Sequence, residues 1–226
     1  MTRMLAARVS MAAAIAALVS LASLHVLSPE FDPSWRVVSE YARGSYGWVL
    51  SLMFVSWALS SWTLGLAIWP EVNTRGGKIG WIFLIMAGAG EAMASAFDVD
   101  HPMHMPAGLI GVLGMPVAAM LVSANLGRVQ PWMARRKSLL WSANLIWITL
   151  VLFAATMVVL IVTARHAGGM NFHAKTLPAG VIALDGWMNR LYVVASCIWT
   201  ISVGRGIARR RKEERVHEQN ELPVCG

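Results

Sequence analysis

Apolar positions along the chain gather into six long runs, each bounded by charge or by Pro and Gly. They cover roughly residues 4–27, 47–69, 79–97, 105–126, 139–163 and 187–204. A bilayer core about 30 Å thick needs about 20 apolar residues in a helix, and each run is of about that length. The segments between them are too polar or too short to span. Strands of a membrane barrel would be about 10 residues long with alternating polarity, which this sequence lacks. No internal repeat is convincing. The pattern predicts an all-α integral membrane protein whose six transmembrane helices form one bundle over residues 1–204, followed by a basic cytoplasmic tail over 205–226.

Lysine and arginine orient the runs. An N-terminus inside puts 14 of the 19 basic residues in the cytoplasm, and only Arg36, Arg43, Arg165, Lys175 and Arg190 outside. Both termini are therefore expected inside. Trp48 and Trp187 then mark the outer interface, and Trp69, Trp81, Trp132 and Trp141 the inner one. The basic start and Ala-rich stretch of the first run could also be a signal peptide. Its apolar part, from Val9 to Leu24, is long for one, and no small-x-small cleavage site precedes the polar loop. It is read as a span.

Composition agrees. The chain is 57% hydrophobic and 14% charged, against about a quarter charged in globular proteins. The net charge of +7 lies between apolar runs and in the tail, so it speaks of membrane orientation and not of nucleic acid. Cys197 and Cys225 are too few for a disulfide scaffold.

The expected outer side gathers five of the six histidines: His25, His101, His104, His166 and His173. Asp98 and Asp100 join them before the fourth run, and Ser39 and Glu40 in the first loop. Imidazole and carboxylate are the usual ligands of zinc, and a site needs three or four to converge. If Pro102 opens the fourth helix, His101 and His104 share a face, and Asp98, His101 and His104 form the candidate metal set. The plainer reading is that wet loops collect polar residues for solubility. Ser39, Glu40, Asp98 and His104 are expected to meet at the outer mouth of the bundle, directly or through one water. A haem needs two imidazoles on facing helices, and only His25 and His104 could flank one, near the outer surface.

Glu91 is the one acidic residue inside an apolar run, where a carboxylate costs several kcal/mol unless it is paired, protonated or facing water. Ser95 and Asp98, at i+4 and i+7, would extend it into a polar stripe leading outward. A structural ion pair is the alternative, since Arg190 lies beside Asn189 just inside the sixth run. Glu91 is expected to face the interior, with Arg190 or Asn189 as its partner. Gly108, Gly111 and Gly114 in the fourth run are read as a packing face. No nucleotide-binding, G-x-S-x-G or C-x-x-C pattern is present.

The first loop, Leu27-Ser28-Pro29-Glu30-Phe31-Asp32-Pro33, followed by Val38-Ser39-Glu40-Tyr41, resembles the opening signature of a bacterial membrane family called domain of unknown function 998. The resemblance covers most of residues 10–205. It implies six spans, an acidic residue at the end of the third and a histidine near the start of the fourth, matched here by Asp98 and His104, with Ser39 and Glu40 in the loop. It implies no activity. Membrane-embedded ceramidase-like hydrolases are a poorer comparison, because they carry an H-x-x-x-H pair late in the chain and His166 and His173 are seven apart.

These residues are read as a multi-pass protein of the cell membrane, a bacterial inner membrane, that binds a lipid or other amphiphile in an outward-facing polar pocket. Ser39, Glu40, Glu91, Ser95, Asp98, His104, Asn189 and Arg190 are its candidate lining. A metal-assisted intramembrane hydrolase, with Glu40 or Glu91 as base, is the alternative. A haem redox protein is the weaker one. No cofactor is expected under the first reading, zinc would serve the second, and membrane lipids are the expected partners.

Overall fold

A computed structural model describes residues 2–169 and 176–221, with side chains through Arg209. Six helices follow one another: α1 (Arg3–Leu27), α2 (Gly47–Ile68), α3 (Arg75–Ala96), α4 (His104–Leu126), α5 (Arg136–His166) and α6 (Asp185–Glu221). Short 3-10 turns at Val38–Arg43, Trp69–Glu71 and Trp132–Arg135 lie in the connections, and the described residues contain no strand. Six helices are long and apolar enough to cross a membrane. The chain is a multi-pass helical bundle.

Consecutive helices pack together and α6 closes on α1, so the six form a ring, with α2 and α6 also touching across it. We call the end carrying the Val38–Arg43 turn the upper end and the other the lower. Small residues set the closest approaches, because apolar side chains gain little from leaving lipid and association rests on close packing. Ala6, Ala7, Ala13, Ala14 and Ala17 form the buried face of α1. At the α3–α4 crossing, a Cβ on Gly90 would stand 2.5 Å from the Gly111 nitrogen and 2.7 Å from the Ala107 carbonyl oxygen. Helix starts are capped at the lower end, where Thr74 Oγ1 accepts from Gly77 N at 2.9 Å.

Two elements run longer than their apolar cores. α5 has 31 residues, about 46 Å at 1.5 Å per residue, against a bilayer core of about 30 Å. The helical backbone of α6 continues to Glu221, into the segment expected to be a separate tail, because Arg, Lys, Glu and Gln, all good helix formers, dominate residues 205–221, which hold no proline. α5 presents Val151, Val158 and Ile161 outward as a lipid-facing strip. Trp48, Trp69 and Trp141 are exposed as interface anchors would be, but Trp132 is buried, packed where a Cβ on Gly206 would strike its ring. Its place is structural, since the 3-10 turn folds it beneath α6.

Candidate functional site

The loop between α1 and α2 lies directly on the first turn of α6. A Cβ on Gly186 would stand 2.5 Å from the Pro33 carbonyl oxygen and 2.7 Å from that of Arg36, so glycine alone allows this seating. The Gly186 N–H donates to the Ser34 carbonyl at 3.1 Å. One turn on, Arg190 fastens the loop from below. Its Nη1 donates to the carbonyls of Arg36 at 2.6 Å and Gly186 at 2.8 Å, and its Nη2 to the Tyr41 hydroxyl at 3.0 Å. Its Nε donates to His25 Nε2 at 2.8 Å. The Leu21 carbonyl lies 2.8 Å from His25 Nδ1 and can only accept, so Nδ1 carries the proton and Nε2 offers the lone pair. Arg190 is thus buried with its donors engaged, which is how an arginine is tolerated near an apolar span.

A second web ties the loop to the α3–α4 connection. Glu40, also buried, accepts from Arg36 Nη1 at 2.8 Å, Arg43 Nη1 at 3.0 Å and the Val37 N–H at 3.1 Å. Arg43 reaches on to Asp100, with Nε–Oδ2 3.0 Å and Nη2–Oδ1 2.5 Å. This two-pronged bond to Asp100, with Glu40 behind it, holds the Arg43 guanidinium above its ordinary pKa, so its charge is permanent. The Arg36 guanidinium also stacks 3.7 Å from the centre of the Trp35 ring.

Beside this web opens a half-enclosed pocket of about 160 Å³. Trp35, Val37, Val99 and, from α5, Met157 and Leu160 give it apolar walls, and Glu40, Arg43 and Asp185 give it polar groups. Asp185 is 1% exposed and its Oδ1 has no hydrogen-bond partner. Buried acceptors without partners are uncommon, and in a pocket wall one is a place for a donor to arrive. The arrangement can take a polar group at the acidic side and apolar chain against α5.

The model of a family described as "Protein of unknown function (DUF998)" matches residues 11–206. The chain belongs to this family. No curated protein and no solved structure matches it.

In this DUF998 chain the web at the upper end keeps Glu40 from the residues expected to meet there, but joins it to Arg36, Arg43 and Asp100. Asp98 is exposed, and its Oδ1 accepts only the nearby Asp100 N–H, at 3.2 Å. His104 Nδ1 turns back to the Phe97 carbonyl at 2.8 Å. Asp100, through Arg43, makes the link to Glu40 that Asp98 and His104 were expected to make. Ser39 is half-buried on the same turn. The metal set fails on local geometry. α4 begins at His104 and not at Pro102, so His101 lies outside the helix, shares no face with His104, and stacks on Phe97 at 4.5 Å. Among the described residues no three His, Cys, Asp or Glu side chains converge as metal ligands. A haem between His25 and His104 is also ill-suited, because the His25 Nε2 lone pair is engaged by Arg190. His166 is exposed and bonded to the Val162 carbonyl, and His173 lies outside the described residues.

Glu91 faces the interior as expected, 3% exposed, but its partner is different. Ser61 Oγ on α2 donates to Oε2 at 2.9 Å, and Oε1 has no partner. Arg190 is held a layer above by the loop, and Asn189 Oδ1 accepts from the Val38 N–H at 2.9 Å. The proposed stripe stops early. Ser95 donates to the Ala92 carbonyl of its own helix at 2.7 Å, and α3 ends at Ala96, so the helical spacing no longer aligns Asp98 with Glu91.

Trp35, Arg36, Tyr41, Arg43 and Asp185 were not among the candidate lining residues, nor was Asp100, although it was counted with Asp98 among the outer polar groups. One signal was available: Arg36, Glu40 and Arg43 stand at the four- and three-residue spacings that a helical turn pairs. Nothing in the sequence marks Asp185, which sits among loop residues before an apolar run.

Proposed function

We propose that this protein binds a lipid or other amphiphile in the upper pocket, and that the pocket opens on the outer face of a bacterial inner membrane with both termini in the cytoplasm. The single observation that carries the binding reading is the pocket itself, where polar groups from the first loop and α6 adjoin apolar walls from α5. Met157 and Leu160 stand on the helix whose Val158 and Ile161 face outward, so a chain lodged in the pocket has a continuous apolar path to the surrounding lipid. Binding sites of this kind are concave and mostly apolar, with a few placed polar groups. The orientation rests on the excess of Lys and Arg at the lower end.

Photolabelling tests this reading. A long-chain amphiphile bearing a diazirine near its head group, added to the protein in nanodiscs, should attach saturably to Val99, Met157 or Leu160 and be displaced by unlabelled amphiphile. Labelling spread evenly over Val151, Val158 and Ile161, with no competition, would contradict it.

A further inference from the structure

The pocket's unmet group is an acceptor, and we propose that the ligand is an amphiphile bearing a protonated amine, whose ammonium donates to Asp185. The proposal rests on the amphiphile reading above and adds the sign of the head group. The arginines that line or border the pocket are already engaged. Arg190 spends its donors on His25, Tyr41 and two backbone carbonyls at 2.6–3.0 Å. Arg43 grips Asp100 with two nitrogens and Glu40 with the third. Arg36 bonds Glu40 and lies on Trp35. A phosphate or carboxylate head would therefore have to displace an existing partner to reach any of these three arginines. Glu40 is equally committed, holding Arg36, Arg43 and the Val37 N–H. Asp185 differs: it lines the pocket, is buried to 1% exposure, and leaves Oδ1 without a donor.

An ammonium brings three donors and a charge, and a charge-assisted bond to a buried carboxylate is the stronger kind. The methylenes next to the nitrogen then meet Val99, Met157 and Leu160. A neutral alcohol could donate to Oδ1 but brings no charge, and an anionic head would meet like charge. The shared chemistry is the alkylammonium, and its source is either a membrane lipid with an amine head group or a free amine.

The test uses the full chain purified in a neutral detergent, with binding followed by calorimetry and unfolding by heat. The probes are dodecylamine, dodecanol, dodecyl phosphate, ethanolamine and sodium chloride. Dodecylamine should bind about tenfold or more tightly than dodecanol or dodecyl phosphate. Asp185→Asn, which keeps the side chain's size and acceptor oxygen, should bring dodecylamine down to the level of dodecanol without lowering the unfolding temperature. Met157→Trp fills the pocket from the opposite wall and should block dodecylamine with Asp185 intact, so the proposal stays open to refutation even if Asp185→Asn folds poorly. Equal binding of all three dodecyl probes, unchanged by Asp185→Asn, would overturn the ammonium proposal and leave the amphiphile reading standing. Ethanolamine binding as tightly as dodecylamine, and lost in Asp185→Asn, would support the ammonium and overturn the amphiphile. Protection by sodium chloride alone that vanishes in Asp185→Asn would overturn the proposal in favour of an inorganic cation. If no dodecyl probe binds and Met157→Trp is silent, both readings fall.

Discussion

Both ends of the bundle bury carboxylates, but the upper end, which pairs Glu40 with two arginines, leaves Asp185 with an unpartnered oxygen. At the lower end Glu71, on the turn after α2, pairs with Arg3 of α1, while Arg3 Nε also donates to the Ala67 carbonyl at 3.1 Å. Asn125 of α4 closes the same corner. Its Nδ2 donates to the Glu71 carbonyl at 2.8 Å, and its Oδ1 accepts from Thr74 N at 3.1 Å and Thr74 Oγ1 at 2.8 Å. Four elements are laced there by short side chains over a tight turn. At the upper end a 19-residue connection between α1 and α2 brings its own arginines and aromatics, and α5 and α6 stand far enough apart to leave a pocket beside Asp185. Stitching of similar chemistry thus makes a seal at one end and a frame around a vacant acceptor at the other. The difference lies in the length of the connection and in whether every buried carboxylate finds its partners within the chain.

Arg190 should be the most sensitive position of the upper end. Arg190→Leu leaves His25 Nε2, the Tyr41 hydroxyl and the Arg36 carbonyl without their donor, and at about 1–3 kcal/mol for each buried group left unsatisfied should destabilise the protein by about 3 kcal/mol or more. Unfolding in detergent would show it, and a loss under about 1 kcal/mol would mean that the loop is held by packing alone. The lower corner should be the next most sensitive. Asn125→Ala strands the Glu71 carbonyl and both Thr74 donors, and about 1–3 kcal/mol should be lost in the same assay. Ligand binding at the upper end should be unaffected.

Between the ends, Glu91→Gln should cost less than about 1 kcal/mol, since glutamine has the same shape and still accepts from Ser61. If Glu91→Gln proves more damaging than Arg190→Leu, the interior carboxyl and not the upper loop organises the bundle. The smallest effects belong to Asp98→Asn and His101→Ala, both on exposed turns, at about 0.5 kcal/mol or less with no change in ligand binding. A loss of binding in either would return the site to the α3–α4 connection.

How much of this was legible follows a physical line. The six helices could be read because a membrane crossing writes itself in about 20 consecutive apolar residues, and α1, α2, α4 and the end of α3 fall close to their expected bounds. That polar groups meet at the upper end was also legible, from the residues delivered there by separate segments. Which residues meet was not. Glu40 was found but its arginines were not, because pairing in a loop depends on a turn geometry that hydropathy does not report. Asp98 and Asp100 are equivalent in sequence, and only the end of α3 at Ala96 decides that Asp100 reaches Arg43. Glu91 was assigned to Arg190 by depth alone, whereas Ser61 on the adjacent helix was an unremarkable serine in an apolar run. Asp185 was hidden most completely, since its importance comes from a vacancy created by α5.

A pocket that takes an amphiphile from outside the cell must be reachable there and must close when the amphiphile is bound. Replacing Met157 by Cys in a chain carrying Cys225→Ser, and treating intact cells with a membrane-impermeant maleimide, tests both halves at once. Met157→Cys should be labelled from outside and dodecylamine should slow the labelling, whereas Val158→Cys, which faces lipid on the same helix, should react poorly and without regard to dodecylamine. Labelling of Met157→Cys only after the cells are opened would contradict the orientation, and outside labelling at a rate indifferent to amphiphile would contradict the pocket.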